Sequence, residues 1–407
     1  MNVLYLTHDG LGEPLGESQV LSYVNGLADK GVEIGIVSFE KSADIIYIEN
    51  IQKKISKKVF FWKYFNYTNK PPIISTLISL VGLLIFVLKQ NQRKKISIIH
   101  SRSYLMTLIA FIINKLLGIP YIFDMRGWWI DERIESNLWS NKFYLLIIYF
   151  FRKIERRLFK NAAHVICLTK CASFLVRDKF SIPLSRISII PTCVNFGIFK
   201  PIQNDFFLEK KREELGLLSG DFVMVYSGSI GGIYDAKEIL LMYRALKEIK
   251  EGAFFLILSK VPSIEVYKEA ERNNIDSSKI LILNVPHDEV NGYLNICNLG
   301  LVSYSSDFSS TSRSPTKMAE YWAAGIHVIA PMDLGDIDEV FSYIINPGCQ
   351  YKMNDYNSYI NCINLYFKTM MDRKVSVTSD FFEFYSLDSG IDKYFNVYNL
   401  INSKQIL

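Results

Sequence analysis

Two tandem α/β domains, each a doubly wound, Rossmann-like sheet and the pair facing an interdomain cleft, are predicted by this 407-residue sequence. Short apolar strands alternate with helical stretches along the chain, the pattern of parallel sheets layered by helices. The order strand, glycine-rich loop, helix occurs twice, opening near residue 2 and again near 222. Between the two runs, ISIIPTCVNFGIFKPIQND breaks the periodicity with Pro191 and Pro201. The domains are therefore drawn as 1–198, completed by a C-terminal helix at about 385–407, and 199–384.

Taken in order, NVLYLT is a strand rich in Val, Leu and Tyr, and DGLGEPLGES is the loop that follows it. SQVLSYVNGLADKG is a helix whose Val20, Leu21, Val24 and Leu27 face the sheet. GVEIGIVSF, ISIIHSRS, IPYIFDMRG and AAHVICLTK supply further strands. After the break, DFVMVYSGSIGGIYDAKEILLMYRALKEI repeats strand, loop and helix, and GAFFLILSKV, KILILNV, LGLVSYS and GIHVIAP continue the second sheet. The aromatic tail FFEFYSLDSGIDKYFNVYNLINSK has helical period and suits packing back across a domain. No repeat of 20–50 residues is visible, which excludes solenoids and propellers.

Composition narrows the class. With 49% apolar and 21% charged residues the chain is globular, and 22 Gly, 12 Pro and six Cys exclude collagen-like and disulfide-scaffold readings. Cys167, Cys171, Cys193, Cys297, Cys349 and Cys362 form no CxxC pair, so they read as reduced thiols without zinc. MNVLYLTHDG has no basic leader segment and carries Asp9 where an apolar core would continue, so a cytoplasmic protein is expected. The apolar run 73–88 is shorter than a spanning helix and is expected to be a buried core helix or to lie at a membrane surface.

Charge is unevenly spread. Residues 41–160 hold 21 Lys+Arg against 7 Asp+Glu, although the whole chain is only +5. Lys53, Lys54, Lys57 and Lys58 precede FFWKYF, and Lys89, Arg93, Lys94 and Lys95 follow the apolar run. Bases on both sides of apolar surface predict peripheral attachment to an anionic membrane through residues 53–95, with only the lysine-rich aromatic segment outside if the helix is core. A solvated basic face is the plainer account of the same charges.

Open α/β sheets bind ligands beyond the carboxyl ends of their strands, so the strand-to-helix loops hold the candidate site. GLGEPLG, with Gly10, Gly12 and Gly16, departs from GxGxxG by one residue and rejects a dinucleotide fingerprint. It leaves either a tight turn or a loop open to an anion. GSIGG at 228–232 occupies the matching place in the second half, where Gly228 and Ser229 leave amides free for phosphate; no Walker lysine follows. In SRSPTKMAEYWAAGIHVIA, Ser314 and Pro315 are expected to cap a helix that starts with Thr316 and Lys317, suited to a diphosphate. Glu320 falls one turn later on the same face, where a carboxylate accepts ribose hydroxyls; a plain surface Lys–Glu pair has the same spacing. On the other domain His8, Asp9, Glu17, Arg102 and Asp124 are cleft-edge candidates for an acceptor, with Arg126 beside them. His100 ends a strand, while His164, His287 and His327 are assigned to packing or surface and Trp128, Trp129 and Trp139 to the core.

SPTKMAEYWAAGIHVIA resembles the signature of glycosyltransferase family 4, retaining enzymes of the GT-B fold that use nucleotide-sugar donors. PLGESQVLSYVNGLADKGVEI, IHSRSYL, IPYIFDMRGWWIDE and IIPTCVNFGIFKP resemble other stretches of that family. The resemblance implies an acceptor-binding N-terminal domain and a donor-binding C-terminal one. It implies that Glu320 meets the ribose, Thr316 and Lys317 the diphosphate, and Gly16 the phosphates from the other domain. Two departures stand out: Ser312 replaces the first of the family's two glutamates, and Gly228-Ser229 replaces the frequent Gly-Arg. The compensating cation is then Lys317, Arg313 or Arg126. Fixed cations and helix N-termini, with neither cofactor nor metal, would stabilise the leaving diphosphate.

The expected activity is transfer of a hexose to a glycan or lipid-linked acceptor in surface polysaccharide biosynthesis, at the inner face of the cytoplasmic membrane and without nucleic acid. A nucleotide-sugar epimerase of the same fold, or a non-catalytic nucleotide-sugar-binding protein, is the alternative.

Overall fold

The computed structural model describes residues 1–68, 70–71, 74–142, 144–232 and 234–406. Contacts divide the chain into one unit of Met1–Pro191 with Leu387–Leu407 and a second of Thr192–Ser386. The first division falls a few residues before the one drawn from the sequence because the linker docks early. The Thr192 hydroxyl donates to the Ser314 carbonyl, and the Val194 amide donates to the Tyr385 carbonyl at 2.8 Å.

The first unit is built on a seven-stranded parallel sheet in the order β3-β2-β1-β4-β5-β6-β7. Its strands are β1 (Asn2–Leu6), β2 (Glu33–Glu40), β3 (Phe61–Asn66), β4 (Ile98–Arg102), β5 (Tyr121–Asp124), β6 (His164–Cys167) and β7 (Ile187–Ile189). The second unit has a six-stranded parallel sheet in the order β10-β9-β8-β11-β12-β14. Here β8 is Val223–Ser227, β9 Phe254–Leu258, β10 Ile280–Leu283, β11 Leu299–Leu301, β12 His327–Pro331 and β14 Gly348–Tyr351. A two-stranded ribbon, β13 (Ile344–Ile345) with β15 (Ser376–Val377), completes it. Each sheet reverses direction of growth at its first strand, so each unit is doubly wound. The helices used below are α1 (Ser22–Asp29), α2 (Ile74–Arg93), α3 (Ser103–Leu117), α4 (Tyr144–Asn161), α5 (Ala236–Ile249), α6 (Thr316–Ala323) and α7 (Leu387–Ile406).

Strands buried on both faces read as continuous apolar runs, and β1, β2, β4, β5, β6 and the central strands of the second sheet were legible for that reason. Besides the ribbon β13–β15, three strands at the sheet edges differ from expectation. FFWKYF, expected as an exposed aromatic surface, forms edge strand β3, with Phe61 and Phe65 packed on the core. The short strand β7 lies inside the segment expected to be the domain break, and β14 pairs with β12 at the far edge of its sheet. Edge strands are short and half-polar, so their periodicity is weak.

The lysines expected to serve a membrane around β3 are partly engaged. Lys54 pairs with Glu17 at 2.6 Å, Lys58 with Asp29 at 3.0 Å, and Lys94 with Glu33. The apolar run from Ile74 onward forms α2; Ile73 lies outside the described residues. Leu80, Leu83 and Val87 join the core beneath, whereas the opposite face is exposed, so the helix is neither wholly core nor free. Trp128 is fully buried, and Trp129 and Trp139 pack edge-on at 5.1 Å, so these tryptophans are core. The six cysteines are free thiols.

Candidate functional site

In the first unit, the carboxyl ends of β1, β4 and β5 bring together Asp9, Arg102, Asp124 and Arg126. The Arg102 Nε donates to Asp9 Oδ2 at 2.8 Å, and its Nη1 stands 3.9 Å from Asp124 Oδ2. Arg126 Nη1 is 3.7 Å from Asp124 Oδ1, and its Nη2 reaches Gln19 at 3.5 Å. Burial alone would raise the Asp124 carboxyl, but Arg126, His100 and Arg102 outweigh it and hold it down at about 2. His100 is buried and neutral-leaning, since burial lowers it more than Asp124 raises it.

Its Nδ1 lies 2.6 Å from the Tyr398 hydroxyl, its Nε2 lies 3.4 Å from Asp124 Oδ2, and the Tyr394 hydroxyl donates to the same oxygen at 3.0 Å. Both phenols come from α7, so the returning helix braces the cluster. Arg126 sits at φ +59, a left-handed conformation costly for a side chain bearing Cβ. Arg102 Nη1, Asp124 Oδ1, Arg126 Nε and Arg126 Nη1 are buried without a hydrogen-bond partner. The cluster is balanced in charge, with buried donors and acceptors left over that could meet a polar ligand.

The glycine loop closes as a tight turn, one of the two alternatives its sequence left open. A Cβ on Gly16 would lie 1.8 Å from the Gly10 carbonyl oxygen, so glycine is demanded by the loop's own closure. Buried Glu40 organises the same loop, accepting from the Leu11 amide at 2.8 Å and from the Ser38 hydroxyl at 2.6 Å. Glu17 pairs with Lys54 instead of joining the Asp9 group. His8 packs against Phe39 and Tyr67, and burial lowers its pKa.

In the second unit, α6 begins at Thr316 with Pro315 as N-cap and no side chain capping it. Ser314, expected as part of the cap, is instead tied to Thr192. The first-turn amides are thereby left without a side-chain acceptor, the condition that makes a helix start receptive to an anion. Lys317 is buried, and its Nζ has no hydrogen-bond partner. It lies 3.8 Å from the Tyr226 ring centroid, 5.0 Å from that of Tyr234 and 5.7 Å from that of Tyr304. Burial pulls its pKa down to about 7, against the opposing effect of Glu320. Gly228 at the end of β8 has φ +128, and a Cβ there would sit 3.0 Å from Lys317 Nζ, so this glycine makes room for the ammonium. Ser229 is exposed on the same loop, and Thr316 is half-buried.

Glu320, buried one turn along, meets His287 Nε2 at 3.1 Å. His287, expected to be packing or surface, does pack on the Phe199 ring at 5.3 Å and also reaches the Glu320 carboxylate. Arg313 is engaged locally, its Nη1 donating to the Ser305 carbonyl at 2.8 Å while the guanidinium lies 5.5 Å from the Tyr304 ring. That makes it a support for the loop and for one wall of the Lys317 cage. Ser312, where the family carboxylate would stand, is buried and donates to the Ser309 carbonyl at 2.9 Å.

A separate hollow beside β12 is lined by Asp307, Asp333, Asp336, Asp338 and Glu339, the wrong sign for a diphosphate. Among the described residues no cluster of three His, Cys, Asp or Glu is placed to hold a metal ion.

Residues 16–197 match the family model described as Glycosyltransferase Family 4, so the resemblance read from the sequence holds over that stretch. Solved structures share the fold over nearly the whole chain. A glycosyltransferase from Rickettsia africae superposes with TM-score 0.68 at 16% identity, covering 98% of each chain. Sucrose-phosphate synthase from Thermosynechococcus elongatus gives 0.68 at 13% identity, covering 99% of this chain and 97% of its own. Anabaena HepE, in complex with UDP and glucose, gives 0.65 at 12% identity, covering 100% and 98%. No curated protein sequence matches significantly. The fold is GT-B.

Proposed function

We propose, from the Glycosyltransferase Family 4 match over residues 16–197, that this chain is a retaining glycosyltransferase. In this reading it moves a hexose from a nucleotide-sugar donor to a glycan or lipid-linked acceptor in surface polysaccharide biosynthesis, on the cytoplasmic side of the membrane. The observation that carries it is the pairing, on the first turns of α6, of a buried, unpartnered Lys317 with a Glu320 held by His287. HepE binds UDP and glucose on the same fold, which favours a uridine nucleotide here.

The residues divide the work. Thr316 and the open amides of α6 receive the diphosphate, and Lys317 supplies the positive charge that its growing negative charge needs. Glu320 accepts the ribose hydroxyls, and His287 fixes the carboxylate in place. The acceptor oxygen forms its bond to the anomeric carbon as the bond to the diphosphate breaks, and the acceptor proton passes to the leaving phosphate. In the first unit Asp124, kept ionised by Arg126, His100 and Arg102, holds an acceptor hydroxyl together with Arg126, with Arg102 and Asp9 behind them. A fixed ammonium does what a bound metal would otherwise do, so the reaction is proposed as metal-independent.

Incubation with radiolabelled nucleotide hexoses, UDP-glucose first, with release of free nucleotide scored, tests the reading. Release from none of the panel, together with no UDP binding by calorimetry, rejects it. Within it, Glu320→Ala is expected to weaken UDP binding by about 1.5–3 kcal/mol, roughly 10- to 150-fold, with the fold retained. Equal calorimetric affinities for wild type and variant remove Glu320 from the site.

A further inference from the structure

The first unit presents two exposed helical faces of the same unusual design. On α2, Ile74, Leu77, Ile78, Val81 and Ile85 follow helical spacing along one face and are 48–68% exposed. The same face then turns basic, with Lys89 and Arg93 exposed and Lys95 just beyond the helix. On α4, Leu145, Leu146, Tyr149 and Phe150 are 54–77% exposed, followed on that face by exposed Lys153, Arg156, Arg157 and Lys160. Neither helix carries an exposed acid, since the one carboxylate between them, Glu155, is buried against Tyr104.

These faces belong together. Helices α2 and α4 both pack against α3, on one side of the sheet. Each lies in a crossover between parallel strands, so both run against the strands and point the same way. Both apolar halves therefore lie toward the carboxyl ends of the strands, the edge that carries Asp9, Arg102, Asp124 and Arg126. Both basic halves lie away from it.

We propose that the exposed faces of α2 and α4 form one docking surface for an anionic lipid bilayer, the apolar halves entering the acyl boundary and the basic halves meeting headgroups. The proposal rests on the reading of the chain as a transferase with a lipid-linked acceptor, and it replaces residues 53–66 by α4 as the second contact. Charge selects the occupant: a second copy of this face would set bases against bases with no acid to pair them, whereas an anionic leaflet complements every one. Geometry selects the depth. Helix α2 is long and apolar enough to cross a membrane, yet Leu80, Leu83 and Val87 hold its other face in the core. The helix lies in the interface and does not span it. A lipid-borne acceptor held there would stand beside the Asp124–Arg126 edge.

Flotation of the full chain with phosphatidylglycerol/phosphatidylcholine vesicles tests this, against phosphatidylcholine alone and at low and high salt. Wild type is expected to float with the anionic vesicles, and Ile78→Glu with Leu146→Glu to lower the floated fraction at least about tenfold. Lys153→Glu with Arg156→Glu and Arg157→Glu should lose the preference for anionic lipid and the salt dependence. All five positions are exposed, and UDP affinity of each variant, measured without vesicles, should equal wild type. Wild type left at the bottom of the gradient, variants that float like wild type, or a dimer dissolved by the Leu146→Glu change without any flotation would each overturn the proposal. Flotation with no UDP binding would instead reject the transferase reading and leave the docking surface standing.

Discussion

Replacing Lys317 by alanine lowers kcat by about 10²–10³-fold while UDP affinity falls much less, because charge on the leaving phosphate peaks in the transition state. Steady-state kinetics with the accepted donor checks it: a rise confined to KM would place Lys317 in ground-state binding. Lys317→Arg is also expected to fail, since Tyr226, Tyr234 and Tyr304 enclose a compact ammonium and a planar guanidinium needs more room.

A signature in pH follows. The free lysine titrates near 7, and a bound diphosphate stabilises its ammonium, so its pKa is higher in the complex. UDP affinity should then be full below pH 7 and fall as pH rises above it, and Lys317→Ala should flatten that slope. Stability moves the opposite way. The folded pKa of about 7 lies below the ordinary 10.5, so the unfolded chain binds the extra proton between them, and wild-type stability rises with pH across that window. Lys317→Met should lack that rise and be more stable than wild type at pH 7 by a few kcal/mol, at roughly 1.4 kcal/mol per pKa unit.

Asp124→Ala is expected to cost about 3–5 kcal/mol, because it leaves the buried Arg126 guanidinium without its carboxylate and takes the shared acceptor from His100 and Tyr394, while Arg102 keeps Asp9. The calorimetric transition of the first unit should drop by roughly 10 °C, whereas Asp124→Asn, keeping the shape and the Tyr394 hydroxyl contact, should cost less. An unchanged transition for Asp124→Ala would mean the charges relax to solvent. The carboxyl is lowered from 3.8 to about 2 on folding, so its contribution is complete above about pH 4 and is lost as pH falls toward 2.

Local periodicity explains what could be read in advance. Apolar strands buried on both faces, the two glycine loops and the three-residue step from Lys317 to Glu320 are all short-range patterns, and the doubly wound GT-B architecture follows from them. What escaped notice is long-range. His287 reaches Glu320 across 33 residues, Tyr394 reaches Asp124 across 270, and Tyr398 reaches His100 across 298. No spacing rule links such pairs, because each is made by the crossing of elements after the sheet has formed. Ser314 departs from the expected cap for a related reason: a hydroxyl side chain at a loop end has several partners within reach, and tertiary packing chose Thr192. Glu40 was passed over because it reads as the last residue of a strand, although it organises the loop beside it.

The return of α7 to the first unit also bears on synthesis. The ribosome releases Asp124 and His100 long before Tyr394 and Tyr398, with the whole of the second unit made in between. During that interval the nascent first sheet carries a buried carboxylate and imidazole whose phenolic partners do not yet exist, and the residues that α7 will cover on α1 remain open to solvent or to a chaperone. The second unit, contiguous from Thr192 to Ser386, can finish first although it is translated second. Chains stalled after Ser386 should therefore show a protease-resistant second unit and a labile first one, and the order of maturation along this polypeptide would run against the order of its codons.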